Sequence, residues 1–188
     1  RFIIRFFSPL ETVGGGKILE VKPKKHKKNE EGLLKSLEIK NHGTEKEVLE
    51  QIILERSREL LSEEKLSLKL RISPEQTKNY VNELSSEGKI LSAGKGLIHR
   101  QYYKIAEKIA VELLSNYHQK NQMSEGLLRE EFRSQIEIKL GQDDKKAIND
   151  LIQEMINEKI IKDIGNKISL YDFEVKESGE TVALRVDF

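Results

Sequence analysis

The chain has 188 residues, 37% hydrophobic and 35% charged, with no cysteine and a formal net charge of +1. That charged share exceeds the roughly 25% usual for one compact globule and fits two or three small modules in a row. Without cysteine, thiolate zinc sites, disulfides and thiol catalysis are excluded, and no apolar run approaches the ~18 residues needed to cross a bilayer.

The near-neutral total hides a division. Residues 1–28 hold 8 Lys/Arg against 2 Glu, a net of +6, and the other 160 hold 25 basic against 30 acidic, a net of −5. Phosphate binding depends on local positive density, so Lys22, Lys24, Lys25, Lys27 and Lys28 are candidate contacts to a polyanion. The competing reading of this run is a solvated linker. The opening Arg1-Phe2-Ile3-Ile4-Arg5 is too short an apolar stretch for a signal peptide.

Phe2, Ile4 and Phe6 alternate with Ile3, Arg5 and Phe7, so both faces are apolar. This predicts a strand covered on both sides. Ser8-Pro9 marks a turn, Gly14-Gly15-Gly16 a bend, and Lys17-Ile18-Leu19-Glu20-Val21 a second short strand. Two strands alone are marginal in water, so residues 1–21 read as terminal strands of an incomplete sheet or barrel. An exposed edge of this kind is a pairing hazard, and it predicts an artefactual dimer through these strands.

Residues 22–43 read as a basic joint and a connecting helix, with Leu33, Leu34 and Leu37 at helical spacing and a break at Asn41-His42-Gly43. Thr44-Glu45-Lys46-Glu47 is a capping box, and the helix behind it carries Val48, Leu49, Ile52, Ile53 and Leu60. A short helix over Leu66–Ile72 follows. Ser73-Pro74-Glu75-Gln76 then opens a third helix with Val81 and Leu84 inward, ended by Gly88. Lys89–Leu91 and Gly96–His99 read as a hairpin. Residues 44–100 thus spell a winged helix, a helix-turn-helix plus a β wing.

The order repeats over 101–176. A helix over Tyr102–Gln119 has Ile105, Ile109, Leu113 and Tyr117 on its apolar side, and a second over Leu127–Ile136 has Phe132 inward. After Gly141-Gln142-Asp143, a third helix from Asp144 to about Glu158 carries Ile148, Leu151, Ile152 and Met155. Lys159–Ile161 and Lys167–Tyr171 close the module around Gly165-Asn166. Tyr80-Val81-Asn82-Glu83-Leu84 sits against Leu151-Ile152-Gln153-Glu154-Met155, 71 positions on, and Lys89-Ile90 matches Lys159-Ile160 if one residue is skipped at Gly88. A period this long means two tandem domains. The fold class is mainly α with small β wings (α+β), two tandem winged helices preceded by a strand pair. Residues 177–188 stay unassigned, with strand-like alternation over Thr181–Phe188.

No catalytic constellation stands out, and enzyme activity is not expected. Gly14-Gly15-Gly16-Lys17 lacks the phosphate loop's first glycine, since Glu11 stands there, and Ile18 replaces its Ser/Thr. His26, His42, His99 and His118 are scattered, with no ligand spacing for a metal. His99 and His118 read as surface groups. No cofactor is expected in this chain.

A winged helix that reads DNA places its third helix in the major groove and its wing on phosphate. The first module would offer Gln76, Thr77, Lys78 and Asn79, with Lys95, His99 and Arg100 on the wing. The second would offer Lys145, Lys146 and Asn149, with Lys162 and Lys167. The balance argues against a dedicated DNA binder: 12 basic against 13 acidic over 29–100, and 13 against 17 over 101–188.

Arg1-Phe2-Ile3-Ile4-Arg5 through Ser8-Pro9, then Thr12-Val13-Gly14-Gly15-Gly16, resembles the end of the third, β-barrel domain of the selenocysteine-specific translation elongation factor (SelB) family. Pro23 and His26-Lys27 match that family's basic joint. Leu97-Ile98-His99, Tyr117-His118 and Gly126-Leu127-Leu128-Arg129-Glu130-Glu131 with Arg133 are similar to its second winged helix, although Gln122 stands where the family often has Pro. The resemblance covers about residues 1–176. It implies a C-terminal fragment of a cytoplasmic factor of protein biosynthesis, a GTPase whose GTP- and Mg-binding domain and selenocysteinyl-tRNA pocket lie outside this chain. The implied partners are the ribosome and an mRNA hairpin, with no membrane. The chain would be a linker arm between the factor's body and its RNA-binding tip at recoded UGA codons. RNA contact would be weak, through the basic arm and Lys78, Lys95, Arg100, Lys145 and Lys146. A DNA-binding regulator and a protein-interaction scaffold are the readings from other classes.

Overall fold

The computed structural model describes residues 1–20, 23, 25 and 32–175, and these divide into two compact units, 1–51 and 52–188. In the first unit, β1 (Phe2–Arg5) pairs antiparallel with β2 (Thr12–Gly16). The second strand is therefore the glycine run itself and not Lys17–Val21, of which residues 17–20 are irregular and Val21 lies outside the described residues. The reason is steric. A Cβ on Gly15 would stand 2.7 Å from the Phe2 carbonyl oxygen, and one on Gly16 would stand 3.0 Å from the Phe2 ring. Bare backbone lets β1 approach at full ladder distance, so the glycines form a strand here and no bend. The expected cover on both faces is also not seen among the described residues: Ile3 on one face is 66% exposed and Ile4 on the other 54%.

Next come α1 (Leu33–His42) and α2 (Glu45–Arg56). The first helix runs through Asn41 and His42 and stops only at Gly43, whose N–H donates to the Ile39 carbonyl. The Thr44 capping box forms as expected: the Thr44 N–H donates to Glu47 Oε2 at 2.7 Å and the Glu47 N–H donates to Thr44 Oγ1 at 3.3 Å. Leu60 does not continue α2. It follows a single 3₁₀ turn and sits in left-handed conformation, φ 50°.

The second unit holds two copies of one plan. From Ile52 onward the chain gives the end of α2, α3 (Glu63–Leu70), α4 (Pro74–Ser86) and a hairpin of β3 (Ile90–Ala93) and β4 (Gly96–His99), with Leu61 bridged to Leu97. Then come α5 (Arg100–Lys120), β5 (Leu127–Leu128), α6 (Arg129–Leu140), α7 (Lys145–Asn157), β6 (Ile161–Ile164) and β7 (Lys167–Leu170), in a sheet of order β5-β7-β6. The segment Leu127–Ile136 is thus a two-residue strand followed by a helix, not helix throughout.

From the third helix onward the copies keep one offset of 71 positions. The caps are Ser73 and Asp144; Gly88 and Lys159 both take positive φ, at 68° and 58°. The Lys89 and Ile160 N–H groups donate to Leu84 and Met155 carbonyls. No residue needs to be skipped: Lys159 stands in Gly88's place and accepts its left-handed backbone.

The buried side of α5 is Tyr103, Ala106, Ala110, Leu114 and His118, while Ile105 is 55% exposed. Ile109, Leu113 and Tyr117 pack partly buried beside it. Two alanines carry this contact. Their small side chains admit close approach of neighbouring elements, and a search for large apolar residues passes over them. Leu60, Ala93 and Ile98 of the first copy share one continuous core with Phe132, Ile148, Leu151, Ile152 and Met155 of the second. Among the described residues no helix is long and apolar enough to cross a membrane.

Candidate nucleic-acid interface

Third helices and wings are where a winged helix would meet a polyanion. The outward face of α4 shows Gln76, Lys78, Asn79 and Asn82, with Glu75 and Glu83 beside them, and Thr77 is buried. This is a polar surface of mixed sign with no cationic stripe.

The first wing does not project freely. Its turn lies on α7, where the Gly94 N–H donates to Asp150 Oδ2 at 2.8 Å. A cavity of about 50 Å³ beneath it is lined by Leu91, Ser92, Ile98, Asp150, Leu151 and Glu154. At the base of the wing, Arg100 is ion-paired with Glu158, stands over the Tyr103 ring at 4.5 Å, and lies 3.8 Å from Glu154. The Tyr103 hydroxyl donates to Glu158 Oε2 at 2.6 Å. Burial and the adjacent Glu158 carboxylate raise the Tyr103 phenol above its ordinary pKa. Burial alone would raise Glu158 as well, but hydrogen bonds from Tyr103 and Arg100 hold it below the usual carboxylate value. On the far side, Arg58 Nη2 donates to the Leu140 carbonyl at 2.7 Å, capping the negative end of α6. Gln142 Nε2 donates back to the Arg58 carbonyl at 3.1 Å.

The helix α7 therefore has two buried flanks, one toward its own module and one toward the first wing. Lys145, Lys146, Gln153 and Asn157 stay exposed. Lys95 follows Gly94 at the wing turn and Lys146 precedes Ala147, so this contact brings their backbones together. Among the described residues Lys78, Lys95, Lys145 and Lys146 have no ion-pair partner, whereas Arg100 is engaged as above. In the second wing, Lys162 donates to the Phe173 carbonyl at 2.7 Å, Lys167 pairs with Glu125 at 3.1 Å, and Arg129 pairs with Asp163. Of the basic arm, Lys25 is exposed; Lys22, Lys24, Lys27 and Lys28 lie outside the described residues, as does the Thr181–Phe188 segment.

Neither histidine near these elements is a surface group, contrary to expectation. His99 is buried at the start of α5, where its Nδ1 accepts the Gln101 N–H at 3.1 Å. An imidazole there does the work of an N-cap. His118 is buried and stacked on Phe173 with ring centroids 3.6 Å apart. Asp150 and Arg58, which join the copies, carried no sequence motif. Among the described residues no group of three or more His, Cys, Asp or Glu could hold a metal ion.

No curated protein matches the chain. Residues 111–170, from mid-α5 to the end of β7, match the family model described as the winged helix of elongation factor SelB. The chain thus carries, in its second module, a winged helix of the elongation factor SelB type.

Proposed function

We propose that this chain serves as a rigid arm of a SelB-type elongation factor, spacing the factor's GTPase and tRNA-binding body from its mRNA hairpin-binding tip during selenocysteine incorporation at UGA codons. The observation that carries the reading is the seating of the first wing on α7. A module that reads nucleic acid keeps its third helix and wing available; here the turn of the first wing and one flank of α7 are packed on each other, and the two modules share a core. An arm gains from this, since a fixed angle between modules transmits position with little loss of conformational freedom on assembly. The mixed surface charge fits the same reading. RNA contact is then auxiliary, limited to phosphates reached by Lys22, Lys24, Lys25, Lys27, Lys28, Lys78, Lys95, Lys145 and Lys146. Arg100 drops out of this set because its guanidinium is committed to Glu158.

The test is binding of the purified chain to a UGA-associated mRNA hairpin, a scrambled hairpin and duplex DNA across a salt series. Weak, equal binding that vanishes as salt rises is the expected result. Preference for the cognate hairpin at physiological salt overturns the arm and makes these modules readers. Preference for duplex DNA overturns it in favour of a regulator.

A further inference from the structure

We propose that His118 is an acid-opened latch that holds the segment leaving β7 against the end of α5. The sheet explains its position. The strand β5 covers only Lys167 and Ile168 of β7, so the next outward N–H along that edge, that of Leu170, has no strand partner. The imidazole takes the vacant place. Its Nε2 lies 3.4 Å from the Leu170 nitrogen and 3.2 Å from Ser169 Oγ. The Leu170 N–H can only donate, so Nε2 accepts and the ring is neutral with its proton on Nδ1. That Nδ1 is buried and has no hydrogen-bond partner among the described residues. The ring face stacks on Phe173, and Phe173 is fixed further by Lys162 Nζ on its carbonyl and by its own N–H on the Leu170 carbonyl at 3.2 Å.

Protonation would undo this arrangement. A proton on Nε2 sets one N–H against another at Leu170 and leaves a buried cation. From α5 the neighbour is the Tyr117 ring, from β7 the Ser169 hydroxyl, from β6 the Lys162 ammonium; Asp172 and Glu174, flanking Phe173, are exposed. Burial first, and the Lys162 charge second, lower the His118 pKa from its ordinary 6.5. The sign follows. The open state takes up a proton as pH falls through 6.5, the latched state only at lower pH. The latch is therefore fully closed above 6.5 and loosens below it, its opening constant rising by up to about tenfold per pH unit across the window.

The experiment is amide hydrogen exchange by NMR on the whole chain between pH 7.5 and 5, with the His118 ring titrated in the same samples. The expected result is that Leu170 protection falls below pH 6.5 by up to about tenfold per unit, while Ile152 in the core holds. The His118→Gln variant, whose amide oxygen still accepts the Leu170 N–H but does not titrate, should keep Leu170 protection flat. Constant Leu170 protection through the His118 titration overturns the latch, as does an equal fall in His118→Gln. If that variant does not fold, the wild-type contrast of Leu170 with Ile152 still decides.

Discussion

Gly94 and Gly165 occupy the same place in the two wings, each at the hairpin turn with φ near 60° and 67°. A Cβ on Gly94 would stand 3.1 Å from the Ala147 Cβ and 3.2 Å from Asp144 Cγ, whereas a Cβ on Gly165 would meet nothing within 4 Å. One hairpin has been taken into an interface and the turn of the other faces solvent, with its lysines held by Glu125 and the Phe173 carbonyl and its Asp163 paired with Arg129 of α6. The backbone plan is common to both, so the difference lies in the partner helix. At the α4 positions equivalent to Ala147 and Asp150 stand Gln76 and Asn79, both exposed. A small residue makes room for the first wing on α7 and a carboxylate receives its free N–H; the first copy has neither. Winged-helix topology therefore leaves open whether a wing is a reading device or a joint, and at the first wing's turn Ala147 and Asp150 favour the joint.

The sharpest way to break this comparison is to cut the core that the copies share. Ile148 is fully buried on α7. Ile148→Ala should cost about 2–5 kcal/mol, and both copies should lose stability together in a single denaturant transition. Two separated transitions would mean that the modules fold independently and the joint is superficial. Next in size is the glycine pair. Gly94→Val and Gly165→Val both meet the left-handed penalty of about 1–2 kcal/mol, but Gly94→Val must also displace Ala147 or Asp144, adding about 2 kcal/mol of overpacking. Equal losses in the two variants, measured by urea unfolding, would erase the distinction between the wings. Asp150→Ala removes a charged acceptor from the Gly94 N–H and should cost about 1.5 kcal/mol. Hydrogen exchange at Gly94 should rise in it, while the Gly165 amide stays unchanged.

Much of this architecture was legible in the sequence. Both capping boxes, the apolar rows of α4 and α7, the glycine turns and the repeat of 71 positions follow from local chemistry, and local chemistry fixes helix starts and hairpin turns. What escaped reading depended on groups distant in sequence. The face of α5 is set by Ala106 and Ala110, which matter only once another element presses on them. Gly14–Gly16 reads as a bend until Phe2 is placed above it, and His99 and His118 read as surface groups until α5 is docked. The charged candidates divide the same way. Lys78, Lys95, Lys145 and Lys146 are exposed, while Arg100 is paired with Glu158 of the other copy, a partner 58 residues away. Comparing the copies position by position would have exposed the joint: exposed Gln76 and Asn79 against Ala147 and Asp150 is the trace that α7 meets a surface α4 does not.

The smallest effect expected concerns that same Arg100. Its pair with Glu158 is about 70% shielded on both sides, with side-chain exposures of 29% and 28%. Pairs of this kind contribute at most about 1 kcal/mol, because side-chain ordering and desolvation offset much of the attraction. Glu158 is held below its usual pKa, so the sign is that of a depressed carboxylate: the contribution is present above the unfolded value near 4.5 and is lost as pH falls through the folded value. Arg100→Gln should therefore destabilise at pH 7 by about 1 kcal/mol or less, and the gap to wild type should close in acid. It should narrow in high salt as well, though only in part, since a shielded pair is screened less than an exposed one. The Asp163 pair of Arg129 in the second wing supplies the control, because it is also partly exposed but joins parts of one module. Arg129→Gln should change stability by a similar amount and leave Gly94 exchange untouched. If Arg100→Gln leaves Gly94 exchange untouched too, the base of the first wing is not coupled to its turn, and the contacts at the turn itself, Asp150 among them, hold the wing on α7.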